Sequence, residues 1–123
     1  MELTINNTVF KFRFGMGFLR EINKRVTVPV DGLKNVKQNI GLRYYISSIL
    51  DNDVESLVEV LDIANKTESP RLTKAALDSY IESDDTDVDE LFGQVIDFLK
   101  SANATRKTTG IMLETLEAQR KKA

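Results

Sequence analysis

The chain of 123 residues predicts a single α+β domain, 1–123, that is predominantly helical: a β-hairpin over 1–14 followed by five or six helices over 15–123. Three observations predict it. Apolar residues alternate by two over the first fourteen positions and then recur at helical spacing. One domain's worth of chain, 41% apolar, can bury a core without help from disulfides or metals, and it has no cysteine. Only two prolines and six glycines interrupt the long periodic stretches.

In the opening stretch, Leu3 and Ile5 precede Asn6-Asn7, and Phe10, Phe12 and Phe14 interleave with Lys11 and Arg13. A two-residue turn at the asparagines would pair Ile5 with Thr8, Leu3 with Phe10 and Met1 with Phe12, so the large apolar groups share one face. A lone hairpin is marginal, so that face must lie on helices or on another subunit, and its free edges are open to strand addition. Phe10, Phe12 and Phe14 are therefore candidates for a subunit contact, with internal packing as the alternative.

After Gly15, a helical stripe of Phe18, Leu19, Ile22 and Val26 is expected to end before Thr27-Val28-Pro29-Val30-Asp31-Gly32, an extended connector. From about residue 33 to Leu50 the apolar residues point all round a wheel, the pattern of a buried central helix. Tyr44 and Tyr45 lie about 100° apart on that wheel, so either both serve the core or one of them, Tyr45, meets a partner. Asp53 should cap a helix with Val54, Leu57, Val58, Leu61 and Ala64 on one face and Glu55, Glu59 and Asp62 largely outward, stopping near Asn65. A helix started by the link at Ser69-Pro70 is expected to bury Leu72, Ala76 and Tyr80, with Leu77 as a further candidate. The acidic run Glu82–Glu90 then caps an amphipathic helix with Val88, Leu91, Phe92, Val95, Ile96, Phe98 and Leu99 on an apolar arc of roughly 160°. The segment from Thr105 onward is helical by composition, yet Ile111, Met112, Leu113 and Leu116 form no single stripe. It packs on two sides, or part of it awaits a partner, which makes Ile111, Met112 and Leu116 candidate contacts.

The residue inventory excludes much chemistry. Neither cysteine nor histidine is present, so thiolate nucleophiles, imidazole bases and the usual zinc sites are missing. Asp85, Asp87 and Asp89 have the alternate spacing of a calcium loop, but Glu90 stands where its glycine belongs and Ile96 where its bidentate glutamate belongs. Gly15-Met16-Gly17 lacks the third glycine of a dinucleotide turn, Arg20 taking that place. No enzyme, metal site or cofactor is expected. No apolar run is long enough for a membrane span, and the first residues carry charge throughout, unlike a signal peptide. A soluble cytoplasmic protein is the expectation.

Seventeen basic and nineteen acidic groups nearly cancel, but they are segregated. Residues 1–43 carry +5, 44–77 carry −3, 78–97 carry −8 and 98–123 carry +4. Such alternation favours head-to-tail contact between copies over phosphate binding, so no nucleic-acid partner is expected. Asp85, Asp87 and Asp89 are candidates for that self-association, with simple helix capping as the alternative.

The runs TVFKFRFGMGFLREINKRV, TVPVDGLKNVKQNIGL, DDTDVDELFGQVIDFLK and SANATRKTTGIMLE, in this order through nearly the whole chain, resemble the tail assembly chaperones of long-tailed phages that infect Gram-positive bacteria. The resemblance implies a non-enzymatic viral protein, made in the host cytoplasm and absent from the mature virion. Such proteins coat the tape measure protein, keep it soluble, and give way as tail tube subunits polymerise around it. A longer frameshifted form commonly recruits the tail tube protein. A structural virion connector or tail-completion protein is the alternative.

Overall fold

Asn6 and Asn7 both adopt left-handed backbone conformations, φ 52° and 64°. That pair of angles makes the tight turn whose twist suits a hairpin. In the computed structural model, which describes residues 1–122, it closes β1 (Glu2–Ile5) onto β2 (Thr8–Lys11) with Leu3 opposite Phe10 and Ile5 opposite Thr8. The Phe12 amide donates to the Met1 carbonyl at 2.8 Å, extending the register as parity requires. Leu3, Ile5, Phe12 and Phe14 are all buried, while Phe10 is half-buried. Phe14 meets Phe18 edge-on at 5.1 Å and stacks on Phe98 at 6.2 Å, so the hairpin is pinned to helices of its own chain. Each such buried ring contributes roughly 1.5–3 kcal/mol by leaving water.

The hairpin's second edge is not free where a continuing strand would need it. The Arg13 amide donates to the Ala64 carbonyl at 2.9 Å, and Asn65 Nδ2 donates to the Lys11 carbonyl at 3.0 Å. The end of α3 therefore occupies that part of the edge expected to be open for strand addition.

Among the described residues six helices follow: α1 (Met16–Asn23), α2 (Gly41–Leu50), α3 (Val54–Asn65), α4 (Lys74–Glu82), α5 (Val88–Ser101) and α6 (Arg106–Lys122). A second antiparallel hairpin lies between α1 and α2, formed by β3 (Thr27–Pro29) and β4 (Lys37–Asn39). Two expectations are corrected here. The first helix stops at Asn23, so Val26 is not part of its stripe. The helix expected from about residue 33 begins only at Gly41, because Gly32 and Asn35 take left-handed conformations, φ 78° and 63°, that turn the chain back on itself. Glycine is required at 41: a Cβ there would lie 1.7 Å from the Ile22 carbonyl oxygen, so only a bare backbone lets α2 start against the end of α1. Asn23 Oδ1 completes the junction by accepting from the Leu42 amide at 3.1 Å.

Helix α3 is the centre of the molecule, with Leu57, Val60, Leu61, Ile63 and Ala64 all at most 1% exposed. Asp62, expected to point outward, is instead 9% exposed and paired with Arg71 Nη2 at 2.8 Å. Burying that carboxylate is tolerable only because a fixed cation meets it. Thr73 caps α4 and Asp87 caps α5, each oxygen accepting a backbone amide three residues on, from Ala76 at 3.1 Å and Glu90 at 3.0 Å. Helix α6 crosses α5 on two fully buried threonines. Thr105 Oγ1 donates to the Leu99 carbonyl at 2.7 Å, and Thr109 Oγ1 donates to that of Thr105 at 2.8 Å. Their hydroxyls are satisfied within the backbone, so a polar residue can sit at a dry crossing.

Candidate functional site

The aspartates of the acidic run are spread apart by the cap of α5. Asp87 is committed to its cap, Asp85 donates its own amide to Ser83 Oγ at 3.3 Å, and Asp89 sits exposed in the first turn of α5. Among the described residues no three carboxylates converge as metal ligands would. All three aspartates remain exposed to solvent and negatively charged surface is what they supply.

The structure separates the three phenylalanines. Phe12 and Phe14, 3% and 5% exposed, are held in the chain's own core and are out of a partner's reach in this fold. Phe10 keeps partial exposure, and its neighbour Val9 is 46% exposed. What partner-facing surface the hairpin has therefore lies near its turn.

Of the residues singled out on α6, Met112 and Leu116 come together and Ile111 stands apart. Met112 and Leu116 line a shallow groove with Leu50 of α2, about 370 Å³ in volume. On the other flank Leu113 and Leu116 line a second depression with Lys100 of α5. Ile111 lines neither groove and is 57% exposed. Period accounts for the geometry: 111, 112, 113 and 116 cannot share one helical face, so α6 wets apolar side chains on both flanks instead of burying one stripe. Beyond them the helix ends in Arg120, Lys121 and Lys122, suited to its negative pole.

A third surface joins α2, α3 and α4. Tyr44, Tyr45, Val54, Val58 and Ile81 form the apolar lining of an open groove of about 560 Å³. The tyrosines meet edge-on at 5.2 Å. Packing decides between them as periodicity could not: Tyr45 is half-buried against the core and Tyr44 is 49% exposed, so the more accessible ring is Tyr44 and Tyr45 shares the groove from beneath. Burial raises the Tyr45 hydroxyl above its ordinary pKa of 10.0, and the Glu59 carboxylate adds to that. Asp53, Glu55, Asp78 and Glu82 stand round the groove, while Glu59 is bound by Lys74 and by Arg25 Nη1 at 3.5 Å. The hydrogen bond that the Lys74 ammonium donates to Glu59 raises its pKa above the ordinary value.

Sequence reasoning missed the arm made by β3 and β4. Residues 31–39 are exposed throughout, with Leu33 56% and Val36 43% accessible near its tip. The available signal was the Asp31-Gly32 turn together with Asn35, flanked by Val28-Pro29-Val30 and Val36-Lys37-Gln38 as two short extended arms.

Within the α2–α4 groove the Ser56 hydroxyl donates to Asp53 Oδ2 at 2.7 Å. These surfaces are open grooves of mixed apolar and charged lining. No helix of the described residues is long and apolar enough to cross a membrane. Neither a curated protein nor a solved structure matches the chain. A family model described as phage tail assembly chaperone protein, TAC, matches residues 2–112, taking in both hairpins, α1 to α5 and the first part of α6. With more than half of its length matched in a single span, the chain belongs to the phage tail assembly chaperone family.

Proposed function

We propose that this chaperone binds the tape measure protein, keeps it soluble in the host cytoplasm, and helps recruit tail tube subunits before leaving the assembled tail. The observation that carries the reading is the apolar surface left open along α6 by Ile111, Met112, Leu113 and Leu116. A long helical protein presents apolar stripes that associate with one another in water until something covers them. A helix laid beside α6 would bury such a stripe against the two shallow grooves, a helix-in-groove contact. Each contact is small, so coverage comes from many copies acting together and is reversible when a competing polymer arrives. The segregated charge supports side-by-side copies, a homo-oligomer arrayed on its client. Recruitment of tail tube protein falls to a longer frameshifted form that carries this domain.

Co-expression with the tape measure protein of the same phage tests it. The expected result is a soluble complex with the wild-type chain and an insoluble tape measure with the Ile111→Asp, Leu116→Asp double variant, whose altered positions are exposed or half-exposed and leave the fold intact. A tape measure equally insoluble with and without the wild-type chain overturns the proposal. Retention of the chain in purified virions would favour a structural connector instead.

A further inference from the structure

The arm between α1 and α2 is built to be held out, and nothing in its own chain covers its tip. Val30 donates its amide to Val36 at 3.0 Å and Ile40 donates to Val26 at 2.9 Å, so the hairpin is hydrogen-bonded from base to loop. Gly32 and Asn35, both left-handed, give the loop a defined path with Leu33 and Lys34 between them. Strands β3 and β4 pack extensively only on each other. A two-stranded hairpin carrying exposed Leu33 and Val36 gains little by itself and is stabilised by burial elsewhere. Its tip is also basic: Lys34 and Lys37 outnumber Asp31, and residues 1–43 as a whole carry +5.

The groove of α2, α3 and α4 has the complementary character. Its floor is apolar, and of the carboxylates around it only Glu59 has a salt-bridge partner among the described residues. Asp53, Glu55, Asp78 and Glu82 have none. Two of these, Asp78 and Glu82, belong to the block of −8. No residue of the arm lines the groove of its own chain.

We infer that the arm tip of one copy docks in this groove on a second copy, Leu33 and Val36 covering Tyr44, Val54 and Ile81 while Lys34 and Lys37 meet Glu55, Asp78 and Glu82. The inference rests on the homo-oligomer in the function proposed above and names its contact. Each copy has one arm and one groove, so the contact is heterologous and links copies into a reciprocal pair, a ring or an open spiral. Apolar anchors at the centre with charges at the rim set affinity and register respectively.

Sedimentation of the full chain over a range of concentrations, with circular dichroism as a check on folding, tests the contact. Wild type is expected to self-associate. Leu33→Ser with Val36→Ser should weaken association at least about tenfold, as loss of a central anchor does. Lys34→Glu with Lys37→Glu, and separately Asp78→Lys with Glu82→Lys, should each give a monomer, and mixing those two variants should restore association because reversed arm then meets reversed groove. A wild-type chain that stays monomeric at about 200 µM, variants that associate as wild type does, or a mixture that stays monomeric each overturn the contact. If the arm variants keep the oligomer but fail to hold tape measure in solution, the arm serves the client and the contact is again overturned. A monomer that still solubilises tape measure refutes this contact alone, whereas an arm-linked oligomer that does not solubilise it refutes the chaperone reading alone.

Discussion

Asn65 Nδ2 donates to the carbonyl of Lys11, 54 positions earlier in the chain, at 3.0 Å. Its Oδ1 accepts from the Leu72 amide at 2.6 Å and from Arg71 Nη1 at 2.8 Å. One fully buried amide thus ties the N-terminal hairpin, the end of α3 and the approach to α4 into a unit.

Replacing Asn65 by leucine should therefore cost far more than its loss of polarity suggests. The Lys11 carbonyl and the Leu72 amide would be left without partners in a dry setting, at about 1–3 kcal/mol each. Urea denaturation of Asn65→Leu is expected to give a midpoint well below wild type with unchanged slope. A difference under about 1 kcal/mol would show that water or rearrangement replaces the bonds.

Glycine substitutions should split in sign. Gly41→Ala must displace the Ile22 carbonyl, 1.7 Å from the new methyl, and is expected to destabilise by several kcal/mol, on the order of the largest single-site effects. Gly93 and Gly110, in α5 and α6, have open space at that position, so alanine there should stabilise by roughly 0.5–1 kcal/mol through helix propensity. Thermal unfolding of the three variants checks this.

Within the acidic run, only one aspartate holds structure. Asp87→Ala removes the N-cap of α5 and should cost about 1 kcal/mol, whereas Asp85→Ala should change stability by less than about half of that. Equal losses at the two positions would mean that summed charge, not the cap, is what matters.

Alkaline pH should unfold the chain partly through Tyr45. Its folded pKa is raised, chiefly by burial, above the ordinary 10.0 at which the unfolded chain ionises. Above that point the unfolded state sheds a proton the folded state retains, so stability is complete below pH 10 and is lost as pH rises through the folded value. Lys74, raised by its bond to Glu59, acts in the same direction. Tyr45→Phe should lose less stability than wild type between about pH 8 and pH 10.5, measured by urea midpoints, the difference isolating the phenol. Glu21 has the opposite sign. Hydrogen bonding to Lys66 lowers its pKa, so its contribution is present above 4.5 and is lost as pH falls through the folded value.

How much was legible in the residues depends on how local the cause is. The first hairpin, its register, the cap of α5 and most of its inward face follow from parity, period and short-range hydrogen bonds, all readable along a few residues. Other local readings are corrected: α4 starts only at Lys74, capped by Thr73, the Asp53 carboxylate accepts from Ser56 Oγ and caps no amide, and Val54 and Phe98 are 41% and 40% exposed. The arm was not legible as such, because Leu33, Val36 and Ile40 satisfy helical spacing while Gly32 and Asn35 turn the backbone the other way. Asp62 looked solvent-facing because nothing nearby in sequence announces that Arg71 will fold over it.

By itself the sequence determined the α+β class, the segregation of charge and the absence of thiol and imidazole chemistry, since these need only residue identity and spacing. Tertiary structure alone decided which tyrosine faces out, that Phe12 and Phe14 serve the chain's own core, and which apolar side chains remain exposed. Those outcomes depend on what packs against each side chain from distant parts of the chain, as at Gly41 beside Ile22, and periodicity records a face without recording what will cover it.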